Sequence, residues 1–238
     1  MSQPLVSICV PTYHAKGEQE RILTRLIMSV KEQTYPNIEL VISDQDATDK
    51  KKASILKFLD DKVKLTYLDF KDDSGISAYN TNNALEHATG EYVQVLNHDD
   101  FFYHENAVRD VVALFQSSDH KWIASACLHT DNLETYLERL HIPRWPSEKD
   151  MVEGVNSIGC PSVVTFNRSL GLKCSDDIVY AMDCDLWIQA FRAGGKPGVI
   201  PDVGVVIRMW DSQFTNQMNT AQRLEQDKAT MRNKYGHS

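Results

Sequence analysis

Short apolar runs, each closed by polar residues and followed by a stretch with helical spacing, recur along this chain and restrict the folds open to it. Val6 to Val10 is the first run, partly β-branched and closed by Pro11, and apolar residues at helical spacing follow at Ile22, Leu23, Leu26, Ile27 and Val30. Ile38 to Ile42 repeats the strand, Ser43 to Lys52 reads as a polar loop, and Ala53 to Leu59 continues a helix. Val63 to Leu68 is a third strand, Ala78 to His87 a helix, and Tyr92 to Leu96 a fourth strand ending in Asn97, His98, Asp99 and Asp100. Strands alternating with helices at this spacing imply parallel crossovers, so the predicted fold is α/β, an open doubly wound, mostly parallel sheet flanked by helices.

Ligands of such sheets bind beyond the carboxyl ends of the strands, where the following loops converge. Pro11, Thr12 and Tyr13 follow the first strand, Ser43 and Asp44 the second, and Asn97, Asp99 and Asp100 the fourth, which brings distant residues to one rim. From about Lys121 the pattern loosens. Trp122 to Leu128, Val163 to Phe166 and Val203 to Met209 read as strands, while Asn132 to Leu140, Cys184 to Ala193 and the polar stretch Thr220 to Lys234 read as helices. Residues 1–120 are expected to form a nucleotide-binding half, 121–215 a smaller acceptor-side half and 216–238 a helical tail of the same domain.

A chain of 238 residues buries about two thirds or more of its unfolded surface, so the fold needs no disulfide or metal staple. The net charge of −8, from 33 acidic against 25 basic residues, argues against a broad nucleic-acid or anionic-membrane footprint. Cys9, Cys127, Cys160, Cys174 and Cys184 make an odd count without CxxC spacing, which fits free thiols in a reducing compartment. No leader pattern opens the chain, and no run approaches the roughly 20 apolar residues of a spanning helix. A cytoplasmic protein is expected, with peripheral association at the cytosolic membrane face if the acceptor is lipid-linked.

The acidic residues carry the chemistry. Paired carboxylates at Asp99 and Asp100 suit a hard divalent cation, Mg²⁺ or Mn²⁺, which would neutralise a departing diphosphate that this acidic chain could not. Equally, they cap a helix beginning near His104. Asp183 and Asp185 precede an amphipathic helix and read either as N-cap residues or as a second functional pair, and Asp44 sits in a polar loop of ordinary composition. The histidines show no ligand spacing.

Taken in order, these segments resemble the inverting family 2 glycosyltransferases of GT-A fold, over Val6 to about Ser212. Val6 to Tyr13 is similar to that family's opening strand and Pro-Thr-Tyr turn, Glu39 to Asp49 to its DDGSTD segment, Gly75 to Gly90 (GISAYNTNNALEHATG) to its GxSxARNxGxxxAxG helix, and Glu91 to Asp100 to EYIxFLDxDD. The resemblance implies nucleotide-sugar contacts from Pro11, Thr12, Tyr13, Asp44, Asn80, Asn97 and His98, a metal on Asp99, and a general base at Asp183, which matches the acid of the ED motif. Asp100, Trp145, Asp185, Trp187, Arg208 and Trp210 become candidates for acceptor-side or supporting roles, with a core position open to Trp145.

Three positions depart from the pattern: Asn97 for an acid, Tyr79 for an arginine and Trp210 for the histidine of an RxH element. The expected activity is inverting transfer from a nucleotide diphosphate sugar, UDP by default, to a glycan or lipid-linked hydroxyl in polysaccharide or glycoconjugate synthesis. The departures also keep open a non-catalytic nucleotide- or glycan-binding protein. A nucleotidyltransferase would carry a Gly-rich basic phosphate loop after the first strand, and Tyr13 to Arg21 has none.

Overall fold

The apolar runs form the strands they predict. A computed structural model describes residues 3–13, 19–57, 63–72, 74, 76–131, 137–209 and 220–236. The first half comprises β1 (Val6–Thr12), α1 (Gln19–Lys31), β2 (Ile38–Asp44), α2 (Asp49–Leu56), β3 (Lys64–Asp69), α3 (Ser77–Glu86), β4 (Tyr92–Val95), β5 (Phe101–Phe102) and α4 (Ala107–Ser117). The second half comprises β6 (Trp122–Thr130), β7 (Leu137–His141), α5 (Glu148–Val152), β8 (Val164–Asn167), α6 (Met182–Gly194), β9 (Gly198–Arg208) and α7 (Thr220–Tyr235).

One curled sheet runs in the order β3-β2-β1-β4-β8-β6-β9-β5, with β7 beside β6. Pairing is parallel among β1, β2, β3 and β4 and between β6 and β9, and antiparallel where β8 joins β4 to β6. Every residue of β2 and β4 is buried, as expected of parallel strands covered on both faces. The chain winds outward from β1 to β3 and then returns to β4 on the other side of β1. That reversal is the topological switch point, and it opens a crevice beyond Thr12 and Val95.

A buried carboxylate fastens the opposite ends of these strands. Glu39 in β2 is 1% exposed, and its Oε1 accepts from Ser7 Oγ at 2.6 Å and from the Thr89 backbone N–H at 2.7 Å, with Lys64 Nζ 3.4 Å from Oε2. Ser7 Oγ in turn accepts from the Gly90 N–H at 2.8 Å. A Cβ at position 90 would lie 2.6 Å from that hydroxyl and 2.7 Å from the Leu5 carbonyl, which is why glycine precedes β4.

Two expectations change. Leu137–His141 is a strand rather than the end of a helix over Asn132 to Leu140, because the edge of β6 beyond β8 offers open backbone groups that β7 pairs with; residues 132–136 lie outside the description. Glu148–Val152 is a helix where no element was expected, closed by a capping box between Ser147 and Asp150. All five cysteines are free, four of them buried.

Burial raises the Glu39 carboxyl, but the bonds from Ser7 and Thr89 and the Lys64 charge outweigh it, leaving it below the ordinary glutamate value of 4.5. A carboxyl lowered by folding stabilises the native state above its unfolded pKa, and that contribution is lost as pH falls through the folded one. Glu39→Gln should therefore cost about 1–3 kcal/mol in urea unfolding at pH 7. Its deficit against wild type should shrink as the pH drops below 4.5.

Candidate active site

At the switch point lies a cavity of about 690 Å³. Pro11 and Tyr13 from the end of β1, Gln45 and Asp46 after β2, Asn80 on α3, Asn97 to Asp100 after β4, Cys160 and Pro161 before β8, and Tyr180, Met182 and Asp183 at the start of α6 line it. Segments nearly the whole chain apart thus share one wall.

The turn after β4 is held from within. Asp100, 2% exposed, accepts from Ser162 Oγ at 2.5 Å, from Asn97 Nδ2 at 3.2 Å and from the Arg208 backbone N–H at 3.1 Å. Burial, and then the neighbouring Asp99, push its carboxyl well above the usual range. Arg208 is itself buried, and its Nε donates to the Asp99 carbonyl at 3.2 Å. Asp100 is therefore a fastener, and Asp99 beside it also lines the cavity. Neither caps a helix, since α4 begins after Asn106.

Deeper in the crevice the side chains are polar and incompletely paired. His98 meets Tyr13 edge-on at 4.6 Å, and burial lowers its pKa, so the ring is neutral at pH 7. Burial, helped by Asp99, pushes the Tyr13 hydroxyl up to about 12. Asn80 Nδ2 donates to the Thr12 carbonyl at 3.0 Å. Thr12 Oγ1, Asn80 Oδ1 and His98 Nε2 are buried with no hydrogen-bond partner among the described residues. Each such atom costs about 1–3 kcal/mol; Asn80 and His98 line the cavity, whereas Thr12 is fully buried behind it and does not meet the nucleotide-contact role expected of it.

Asp183 is the second residue of α6, whose N-cap is Ala181, so it does not cap that helix. Its carboxyl reaches the cavity and Asn156 Nδ2 at 3.5 Å, and burial raises it to about 7. Asp185 faces the other way, fully buried against Ser175 (2.8 Å), Gln189 (2.7 Å), Lys234 (2.7 Å) and the Tyr235 hydroxyl. Trp187 is a core residue stacked on Trp122 at 5.8 Å. Trp145 packs on Phe191 at 4.6 Å and on Trp122 at 5.8 Å, against the core rather than in the cavity. Asp44 is fully buried and held by Lys51 and Tyr67, so the loop residues Gln45 and Asp46 line the cavity in its place. Trp210 lies outside the described residues.

Sequence reasoning missed Cys160, Ser162, Val179 and Tyr180, which lie in segments without periodicity and reach the site only through the antiparallel return of β8 and the entry to α6. A divalent ion fits this donor set on one condition. No three His, Cys, Asp or Glu side chains converge among the described residues, and Asp100 and the Asn97 amide are turned to each other. Asp99 is then a single protein carboxylate, suited to Mg²⁺ or Mn²⁺ whose remaining ligands are phosphate oxygens and water.

Comparison with known proteins places this geometry. The family model for "Glycosyl transferase family 2" matches residues 7–170, a span that ends before Asp183. The Escherichia coli UDP-Glc:α-D-GlcNAc-diphosphoundecaprenol β-1,3-glucosyltransferase WfgD is 26% identical over 192 residues, covering 81% of this chain and 72% of that one. S. aureus TarS 1–349 in complex with UDP-GlcNAc superimposes with a TM-score of 0.65 at 15% identity, over 97% of this chain and 73% of that one. Mannosyltransferase PcManGT from Pyrobaculum calidifontis, in complex with GDP-Man and Mn²⁺, gives 0.60 at 18% identity over 87% and 57%. Both structures share the GT-A fold. The relatives matched over 79% or more of this chain are longer, and it spans from 59 to 74% of their length.

A carboxyl raised by folding has the opposite sign to Glu39. Native Asp183 keeps its proton between the ordinary aspartate value of 3.8 and about 7, while the unfolded chain loses it, so stability falls as pH rises through that window. Asp183→Asn, which cannot ionise, should be more stable than wild type by about 2 kcal/mol at pH 8, and the gap should close toward pH 4 in urea titrations.

Proposed function

The chain belongs to glycosyl transferase family 2, and from that premise we propose that it moves a sugar from a nucleotide diphosphate sugar, with UDP as the first choice, to a hydroxyl of a glycan or lipid-linked acceptor, inverting the anomeric carbon. One observation carries this reading: Asp99 and Asp183, from strand-end and helix-start segments far apart in sequence, line the same cavity at the switch point. The relative WfgD is described by its UDP-Glc donor and a diphosphoundecaprenol-linked acceptor, and the TarS complex holds UDP-GlcNAc. Bacterial polysaccharide or glycoconjugate synthesis is the setting these relatives support.

Pro11, Tyr13, Asn80 and neutral His98 would hold the nucleotide sugar at the ends of β1 and β4. Asp183, raised to about 7, has the basicity to take the acceptor's proton near neutral pH. The acceptor oxygen attacks the anomeric carbon from the face opposite the diphosphate. A carbon–oxygen bond to the acceptor forms as the bond to the diphosphate breaks, and the diphosphate departs with the electron pair. Asp99 would hold a Mn²⁺ or Mg²⁺ ion, which would supply the positive charge the leaving group needs. The PcManGT complex with Mn²⁺ supports this use of a metal. No helix among the described residues is long and apolar enough to cross a membrane; a lipid-linked acceptor like that in WfgD's name would be met at the membrane face.

The test is UDP release from UDP-glucose with α-D-GlcNAc-diphosphoundecaprenol as acceptor. Asp183→Asn should lower kcat by about 10²- to 10⁴-fold. The wild-type rate should fall as pH drops below about 7, where Asp183 gains its proton. Turnover retained by Asp183→Asn would overturn the assignment of the base.

A further inference from the structure

The C-terminal helix α7 lies beyond the residues matched by the family model, yet one of its side chains reaches the wall of the cavity from behind. Asp227 is 0% exposed. Its Oδ2 accepts from the backbone N–H groups of Val179 (3.1 Å), Tyr180 (2.6 Å) and Ala181 (2.9 Å), and its Oδ1 lies 3.2 Å from Arg223 Nε. Arg223 also donates to the Asp177 carbonyl at 3.1 Å, so the pair grips the same segment twice.

This segment has no local means of holding its shape. Ala181 is the N-cap of α6 and has no side chain that can accept from the orphan N–H groups of a helix start. Asp227 instead fixes the three residues that lead into the helix, accepting from their N–H groups from a helix 46 residues away in sequence. Hydrogen bonds to an ionised acceptor are about twice as strong as neutral ones, and three of them converge on one oxygen here. The segment they fix contributes Val179 and Tyr180 to the cavity wall and leads directly into Asp183. A second grip lies one turn further on, where Lys234 and Tyr235 of α7 hold Asp185.

We propose that Asp227 is a positioning residue for the transfer reaction: it fixes the Val179–Ala181 backbone, and through it holds Tyr180 and Asp183 in place on the acceptor-facing wall. The proposal rests on the reading of Asp183 as the base. It separates the two halves of the site functionally, because the donor contacts of β1, α3 and β4 do not pass through α7.

The experiment compares wild type, Asp227→Ala, Asp227→Asn and Arg232→Ala. Arg232 pairs with Glu153 at 2.5 Å and helps dock α7 without touching the segment. Hydrogen exchange at the amides of Val179, Tyr180 and Ala181 is read alongside UDP affinity and UDP release from UDP-glucose with the acceptor named above. Asp227→Ala should speed exchange at those three amides at least tenfold and lower kcat at least tenfold. Protection of β1 and β4 and the Kd for UDP should stay as in wild type. Asp227→Asn, which keeps one acceptor oxygen, should fall between, and Arg232→Ala should match wild type in every readout. Unchanged exchange at the three amides overturns the proposal, as does faster exchange with full turnover, or loss of UDP affinity and β-strand protection together with kcat. A wild type that neither binds UDP nor turns over UDP-glucose overturns the donor assignment instead, and the exchange result then decides by itself whether Asp227 holds the segment.

Discussion

Three pieces of chain meet on the Asp100 carboxylate: the turn after β4 through Asn97, the turn before β8 through Ser162, and the end of β9 through the Arg208 backbone. These contacts span up to 108 residues, and they join the all-parallel half of the sheet to the half built around β6. The carboxyl lies in a low-dielectric interior beside a second acid, a costly place that only a full set of hydrogen-bond donors makes tenable. Once Asp100 is satisfied in this way, Asp99 is presented to the cavity with its backbone carbonyl tied to Arg208. Packing thus gives the two neighbouring acids different surroundings.

The two carboxylates of the cavity then sit in different surroundings. Asp99 belongs to the strand-end rim, near Tyr13 and His98, where the donor's diphosphate is proposed to lie. Asp183 stands at a helix start, in a wall that includes Val179, Met182 and Cys160, and desolvation alone accounts for its raised pKa. A general base needs a pKa near the working pH, and in the proposed reaction burial would supply it at the expense of native stability. Glu39, held below the ordinary glutamate value by its donors, contributes to stability with the opposite sign.

The sheet and its rim were legible in the sequence because their signals are local. Predominantly apolar runs named the parallel strands, and polar residues after Val10, Ile42 and Leu96 named the crevice. The roles of individual side chains were less legible, since each depends on what arrives from far along the chain. Asp44 sits at a strand end like Asp99, but Lys51 and Tyr67 close over it. Trp145 and Trp187 have the composition of a sugar platform, yet they complete an aromatic core with Trp122 and Phe191. A capping role for Asp183 was locally reasonable, and it fails because α6 begins at Met182, which puts Asp183 inside the first turn rather than at the cap. The strand at Leu137 arises from an open edge of β6, which no window of sequence around it records.

Donor binding at the rim is the premise on which the remaining assignments stand. It is tested most directly by calorimetric titration of UDP into wild type and Asp99→Ala, each with and without Mn²⁺. A metal-dependent affinity in wild type that disappears in Asp99→Ala is the predicted result. UDP binding indifferent both to the metal and to the substitution would contradict it, placing the diphosphate away from the end of β4 and favouring a protein that keeps the fold without the transfer chemistry.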